Sequence, residues 1–201
     1  MNNSEARLWR LIEERAASGA DTAAIDESIW RTFGEDWAVV FTDLAGFSRK
    51  TEQFGIIHFL QVIHAMRELL YPVIERHRGF LVKAEADSLL LLFRSADDAL
   101  RCSIAMQRAC QQANERLVPE EQILLCLGIG AGPILRVGNH ECWGSQVNAA
   151  SKLGEDTAKT DEILITDAAR EALTAGEFQV DFAELDARIP GSGKNFRVRY
   201  R

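Results

Sequence analysis

The sequence has no apolar run approaching the roughly 18 residues of a membrane-spanning helix. Its longest, Leu89-Leu90-Leu91-Leu92-Phe93, is the length of a strand, so no membrane span is expected. The polar start, Met1-Asn2-Asn3-Ser4-Glu5, lacks the apolar core of an export signal, and a cytoplasmic location is the expectation. Cysteine is scarce and unpatterned. Cys102, Cys110, Cys126 and Cys142 include no Cys-x-x-Cys pair, which argues against a zinc site and for buried, reduced thiols. Positive charge is also short: 23 Lys plus Arg stand against 30 Asp plus Glu, a net charge of −7. Such a chain is a poor general binder of nucleic acid or of anionic lipid. Any polyanion it holds must sit in a specific site, with metal ions. Internal repeats and low-complexity segments are absent as well.

What is present is an ordinary globular composition, 47% hydrophobic over 201 residues. That length makes one large domain or two small ones and needs no disulfide or metal staple. Residues 1–35 read as helices, with Leu8, Leu11 and Ile12 on one face and Ile25, Ile29 and Phe33 on another. They are too few for a domain and are expected to pack on the main body or on a second copy. The main domain, residues 36–201, opens on the strand Trp37–Asp43, apolar on both faces. A helical stretch follows, with Ile56, Phe59, Leu60, Ile63, Met66, Leu70, Val73 and Ile74 spaced by three and four. Gly55 is expected to break it and Pro72 to kink its end. Phe80–Ala84 and Ser88–Phe93 form a hairpin with an acidic tip, and a second helix carries Ala99, Cys102, Met106 and Ala109. Strands are expected at Ile123–Ala131 and, beyond Gly132-Pro133, at Ile134–Val137. A helix over Gln146–Thr157, a strand at Ile163–Ile165, a helix capped by Thr166 or Asp167, and strands at Phe178–Phe182 and Phe196–Tyr200 complete the chain. The order strand–helix–strand–strand–helix–strand predicts an α+β, ferredoxin-like βαββαβ sandwich. It carries extra C-terminal elements and an N-terminal helical extension.

Two carboxylates stand out. Asp43 ends a buried strand, and Asp87 sits at a hairpin tip. In this topology the first and third strands are central neighbours, so both side chains converge at one edge of the sheet. Paired carboxylates suit divalent cations that share phosphate oxygens, although Asp is also a common turn residue. The turn Ala45-Gly46-Phe47-Ser48 leads into a helix N-terminus, a place where backbone N–H groups suit a phosphate. Gly128-Ile129-Gly130-Ala131-Gly132 lacks the spacing of a dinucleotide fingerprint, and its glycines read as close-packing positions. Gly191-Ser192-Gly193-Lys194-Asn195 is an incomplete P-loop and reads as a plain loop.

Three segments in order resemble the motifs of class III nucleotidyl cyclase catalytic domains, the adenylyl and guanylyl cyclases. They are Phe41–Ser48, Val82–Asp87 and Glu141–Leu153. The resemblance implies that Asp43 and Asp87 bind two Mg²⁺ or Mn²⁺ ions, with the Leu44 carbonyl assisting. It implies that the N–H groups around Gly46, Phe47 and Ser48 hold the triphosphate, and that Lys83 and Glu141 read the purine. Asn148 would orient the ribose, and Lys152 occupies the position of an arginine that faces the transition state. The implied reaction is attack of the ribose 3′-hydroxyl on the α-phosphate, giving a cyclic nucleotide and pyrophosphate. ATP is the expected substrate, with GTP less favoured, and a homodimer with sites shared between subunits is implied. The chain departs from the family at Ala86, usually Gly, at Glu141, usually Asp, and at Lys152, usually Arg. Those departures keep an alternative open: a cyclase-homology domain that has lost catalysis and serves as a nucleotide-binding or dimerisation module.

Overall fold

The computed structural model describes residues 3–200, with the backbone course alone for residues 47–50. Two helices come first, α1 (Asn3–Ala16) and α2 (Thr22–Phe33). Asp21 caps α2 by accepting from the Ala24 N–H at 3.1 Å, and Arg15 pairs with Asp26 across the hairpin. Their apolar sides meet Leu135 and Val137 of the sheet through Leu8, Ile29 and Phe33.

β1 (Gly34–Leu44) runs through the centre of the sheet. Gly55, in a left-handed conformation, splits the following helix into α3 (Phe47–Phe54) and α4 (Ile56–Arg76). Pro72 is absorbed within α4, which continues to Arg76. β2 (Phe80–Glu85) and β3 (Ser88–Phe93) form the expected hairpin, and α5 (Ala96–Asn114) returns to β4 (Leu125–Val137). Then come β5 (Glu141–Trp143), α6 (Ser145–Ser151), a π-helical turn (Lys152–Thr157), β6 (Ile163–Thr166), α7 (Asp167–Glu171), β7 (Asp181–Leu185) and β8 (Asn195–Arg199). Strand order is β2-β3-β1-β4-β6-β8-β7, with β5 paired to β4. The first four of those strands give the ferredoxin-like order, with β1 antiparallel to both β3 and β4.

One face of the sheet is covered by α4 and α5. Val40, Leu89, Leu91, Phe93 and Leu127 meet Phe59, Met66, Leu70, Ala99 and Met106 there, all essentially without exposure. On the opposite face Trp37, Val39, Leu90, Leu92 and Ile134 meet Val147 and Ala150 of α6. Period-two alternation along β1 explains the split: Ala38, Val40 and Leu44 face the helices, while Trp37, Val39, Phe41 and Asp43 face α6. All four cysteines are buried and unpaired, and burial pushes the Cys102, Cys110 and Cys126 thiols up to about 12.

Three expectations are corrected. The strands at 123–131 and 134–137 are one strand, in register with β1 through Trp37↔Gly132 and Asp36↔Pro133. Pro133 lies between the segment of β4 paired with β6 and the segment paired with β5, so its missing N–H falls where a second neighbour strand is lacking. The helix at 146–157 is α-helical only to Ser151 and then widens into the π turn. The strand at Phe178–Phe182 begins at Asp181 and runs to Leu185.

Candidate functional site

Asp43 and Asp87 meet as the topology requires. Asp43 is the penultimate residue of β1; Asp87 lies in the turn between β2 and β3 and is buried. Burial pushes the Asp43 carboxyl up to about 6, and the Asp87 charge adds to this. Opposing them are the Leu44 backbone N–H and the Ser88 hydroxyl, which donates to Asp43 Oδ1 at 3.4 Å. Asp87 is also raised, first by burial and then by Glu155. Among the described residues neither carboxylate has an ion-pair partner, and no group of three or more His, Cys, Asp or Glu is placed to hold a metal. Among the described residues the donor set is thus two desolvated carboxylates without a cationic side chain. It fits hard divalent cations whose remaining ligands come from water and phosphate, as Mg²⁺ prefers.

Ala86 holds the hairpin tip in a left-handed conformation, with φ 46°. This is the position where glycine costs nothing and alanine carries strain. Arg67 of α4 donates to the Ala86 carbonyl at 2.8 Å and so braces the turn that presents Asp87.

The second half of the site depends on a β-bulge. The pairing of β2 with β3 shifts between Leu81↔Leu91 and Lys83↔Leu90, leaving Val82 as the extra residue. Leu81 packs on the helical face, whereas Val82 packs on the opposite one and Lys83 pairs beside Leu90 there. Without the bulge, strict alternation would turn Lys83 into the helical core. With it, Lys83 and Glu85 share the α6 face. Lys83 Nζ lies 3.0 Å from Glu85 Oε1 and 3.4 Å from Glu141 Oε2, the latter reaching over from β5.

Asn148 and Lys152 are carried by α6 and the π turn. Gln146, buried, fixes the start of α6: its Oε1 accepts from the Ala131 N–H at 3.2 Å and from the Thr166 hydroxyl at 3.0 Å, while its Nε2 donates to the Gly191 carbonyl at 2.9 Å. The Gly191–Lys194 loop therefore anchors this helix. Glycines let α6 and the π turn press onto the sheet. A Cβ at Gly128 would lie 2.1 Å from the Ala150 carbonyl oxygen, and one at Gly154 would lie 2.7 Å from that of Phe41. The widened turn is closed by Thr157 Oγ1 donating to the Lys152 carbonyl at 2.8 Å and Ala158 N–H to that of Leu153 at 2.7 Å. Lys152 itself is exposed and donates to Asp156 Oδ2 at 2.6 Å. Asn148 is exposed, and among the described residues no hydrogen bond or ion pair joins Asn148 or Lys152 to Asp43 or Asp87.

Of the phosphate-loop residues, Gly46 is left-handed with φ 86° and opens α3. The Ala45 N–H is already committed to the Leu124 carbonyl at 2.8 Å. Phe47 and Ser48 begin the helix, and their side chains lie outside the described residues. Sequence reasoning missed three polar neighbours: Ser88 beside Asp43, Glu85 beside Lys83, and Glu155, which accepts from Ser151 at 2.6 Å and Ser88 at 3.5 Å. The i, i+2 spacing of Lys83 and Glu85 was a usable signal.

Residues 33–197 match the model of the adenylate and guanylate cyclase catalytic domain family. The chain is 31% identical over 168 residues to an adenylate cyclase of Streptomyces coelicolor, covering 83% of this chain and 41% of that protein. It is 20% identical over 206 residues to human atrial natriuretic peptide receptor 2, covering 95% of this chain and 19% of the receptor. Overall it spans between 12% and 41% of the length of the curated relatives it matches. Among solved structures, an adenylate/guanylate cyclase/hydrolase from Silicibacter pomeroyi superposes with a TM-score of 0.70 at 28% identity, covering 82% of this chain and 95% of that one.

Proposed function

The chain belongs to the adenylate and guanylate cyclase catalytic domain family, and from that premise we propose that it converts ATP to 3′,5′-cyclic AMP and pyrophosphate. The observation that carries the reading is the approach of Asp43 and Asp87 at one sheet edge, both desolvated and, among the described residues, neither neutralised by a cationic side chain. Residues 36–201 would be the catalytic domain and residues 1–35 a helical extension of it.

Asp43 and Asp87, with the Leu44 carbonyl, would hold two Mg²⁺ or Mn²⁺ ions. When bound, these would supply Lewis acidity toward the ribose 3′-hydroxyl and the phosphates. The backbone N–H groups opening α3 at Gly46, Phe47 and Ser48 would bind the triphosphate, since first-turn amides have no acceptor within a helix. Lys83 would donate to adenine N1 and Glu141 accept from the exocyclic amine. Guanine presents the opposite polarity at those two atoms, so this pair favours ATP. Asn148 would orient the ribose by hydrogen bonding. Lys152 would leave Asp156 to place its charge near the α-phosphate, where negative charge grows in the transition state. Both residues are exposed and, among the described residues, neither is bonded to the aspartates, which supports a homodimer in which one copy supplies the carboxylates and the other supplies Lys83, Glu141, Asn148 and Lys152.

The test is an end-point assay of purified protein with Mn²⁺ and ATP or GTP, scoring cyclic product, with Asp43→Ala as control. Cyclic AMP that disappears in the control supports the assignment. Metal-dependent ATP binding without any cyclic product would assign a nucleotide-binding module instead.

A further inference from the structure

We propose that Glu85 gives the purine site a second reading register through which the protein accepts GTP alongside ATP. The inference rests on the purine-reading role assigned above to Lys83 and Glu141. The bulge at Val82 places Lys83 and Glu85 on one face of β2, and Glu141 approaches the same ammonium from β5. The outcome is a row of three groups: acceptor, donor, acceptor. Glu85 Oε1 lies 3.0 Å from Lys83 Nζ, which lies 3.4 Å from Glu141 Oε2.

Neighbouring members of that row match either purine. Adenine presents a donor at its 6-amino group and an acceptor at N1, and these pair with Glu141 and Lys83. Guanine presents an acceptor at O6 and a donor at N1. Shifted by one member, O6 accepts from Lys83 and the N1–H donates to Glu85. In each register the unused carboxylate stays beside the ammonium and keeps it charged and in place. The registers differ in strength. The Glu85 side chain is 69% exposed and that of Glu141 36%. A base that engages Glu85 must therefore strip more water from its acceptor, and the guanine register is the weaker of the two.

The experiment measures the ratio of GTP to ATP recognition within each variant, so differences in folded fraction cancel. The full chain is titrated calorimetrically in Mn²⁺ with the α,β-methylene analogues of ATP and GTP, and turnover of the natural nucleotides is measured in parallel. The expected result is that wild type binds both analogues, the adenine one more tightly. Glu85→Gln, which removes the acceptor charge and keeps the shape, lowers the GTP:ATP ratio by about 10- to 100-fold, the effect of one charged hydrogen bond to a base edge. Glu141→Gln moves the ratio in the opposite direction, which a merely structural role for either carboxylate would not do. Wild type that binds the ATP analogue but not the GTP analogue overturns the second register and leaves the ATP reading standing. A Glu85→Gln ratio that stays put or rises overturns that register as well, and the Glu141→Gln ratio reports separately on the ATP reading. Failure of wild type to bind either analogue overturns both.

Discussion

Gly128 is the glycine at which an added Cβ would press hardest on α6 and the π turn. It sits in β4 opposite Phe41 of β1 and Leu164 of β6. A methyl group there would lie 2.1 Å from the Ala150 carbonyl oxygen, 2.5 Å from the Gly154 nitrogen and 2.9 Å from Leu153 Cβ. Two of those three atoms are backbone and cannot swing aside, so Gly128→Ala must drive α6 and the π turn away from the sheet by about 1 Å. Overpacking of this kind costs about 1–3 kcal/mol. The displaced segment carries Asn148 and Lys152, and a misplacement of about 1 Å in a reacting constellation costs about 10²-fold in rate. Urea denaturation and kcat/KM with Mn²⁺ and ATP read the two effects. Gly176→Ala is the control for strain without a clash: Gly176, unlike Gly128, has a left-handed φ of 78°, and its Cβ would meet open space. It should cost about 1 kcal/mol in backbone strain and leave the rate intact. A Gly128→Ala protein within about 0.5 kcal/mol of wild type, with unchanged kcat/KM, would refute the claim that this contact sets the position of α6 and the π turn.

Other predictions concern the carboxylates and the cation. The folded pKa of Asp43, about 6, lies above its unfolded value. Its penalty is therefore absent below about pH 4, grows as pH rises toward 6, and is constant above. Allowing for partial exposure, Asp43→Asn should stabilise the metal-free protein by about 1–2 kcal/mol at pH 7.5 and by less at pH 4.5, while abolishing cyclase activity; denaturation in EDTA at both pH values checks this, and an equal gain at both would contradict it. Ala86→Gly should stabilise the hairpin by about 1 kcal/mol, because it relieves the φ of 46°; a lowered melting temperature would count against strain at that turn. Lys152→Arg should raise kcat by about tenfold or more with little change in KM, since the planar fork can hold two phosphate oxygens at once; a lower kcat would show that lysine is the fitted residue here.

The fold was legible wherever apolar periodicity and punctuation agreed. Gly55 broke the long helix as its spacing implied, Thr166 capped α7 through the Ala169 N–H at 3.2 Å, and Asp43 and Asp87 met because β1 and β3 are neighbours. What was hidden depended on pairings between strands. The bulge at Val82 leaves no local mark, since Leu81 and Val82 are both apolar and only their partners on β3 show which is extra. The continuity of β4 through Gly132-Pro133 is equally invisible until β5 and β6 are seen to pair on either side of it. The π turn packs through a long-range contact, Gly154 against Phe41 and Gly128, and it brings Glu155 to the two aspartates without a sequence signature.

The central claim is that one cyclase site is assembled from the Asp43–Asp87 half of one copy and the Lys83–Glu141–Asn148–Lys152 half of another. Co-expressing Asp43→Ala chains with Asn148→Ala chains tests it most directly. Each variant alone should be inactive, while mixed dimers keep one intact site, so the co-expressed protein should recover about a quarter of the wild-type cyclic AMP output. A co-expressed protein as inactive as either variant, from chains shown to associate, would contradict the shared site.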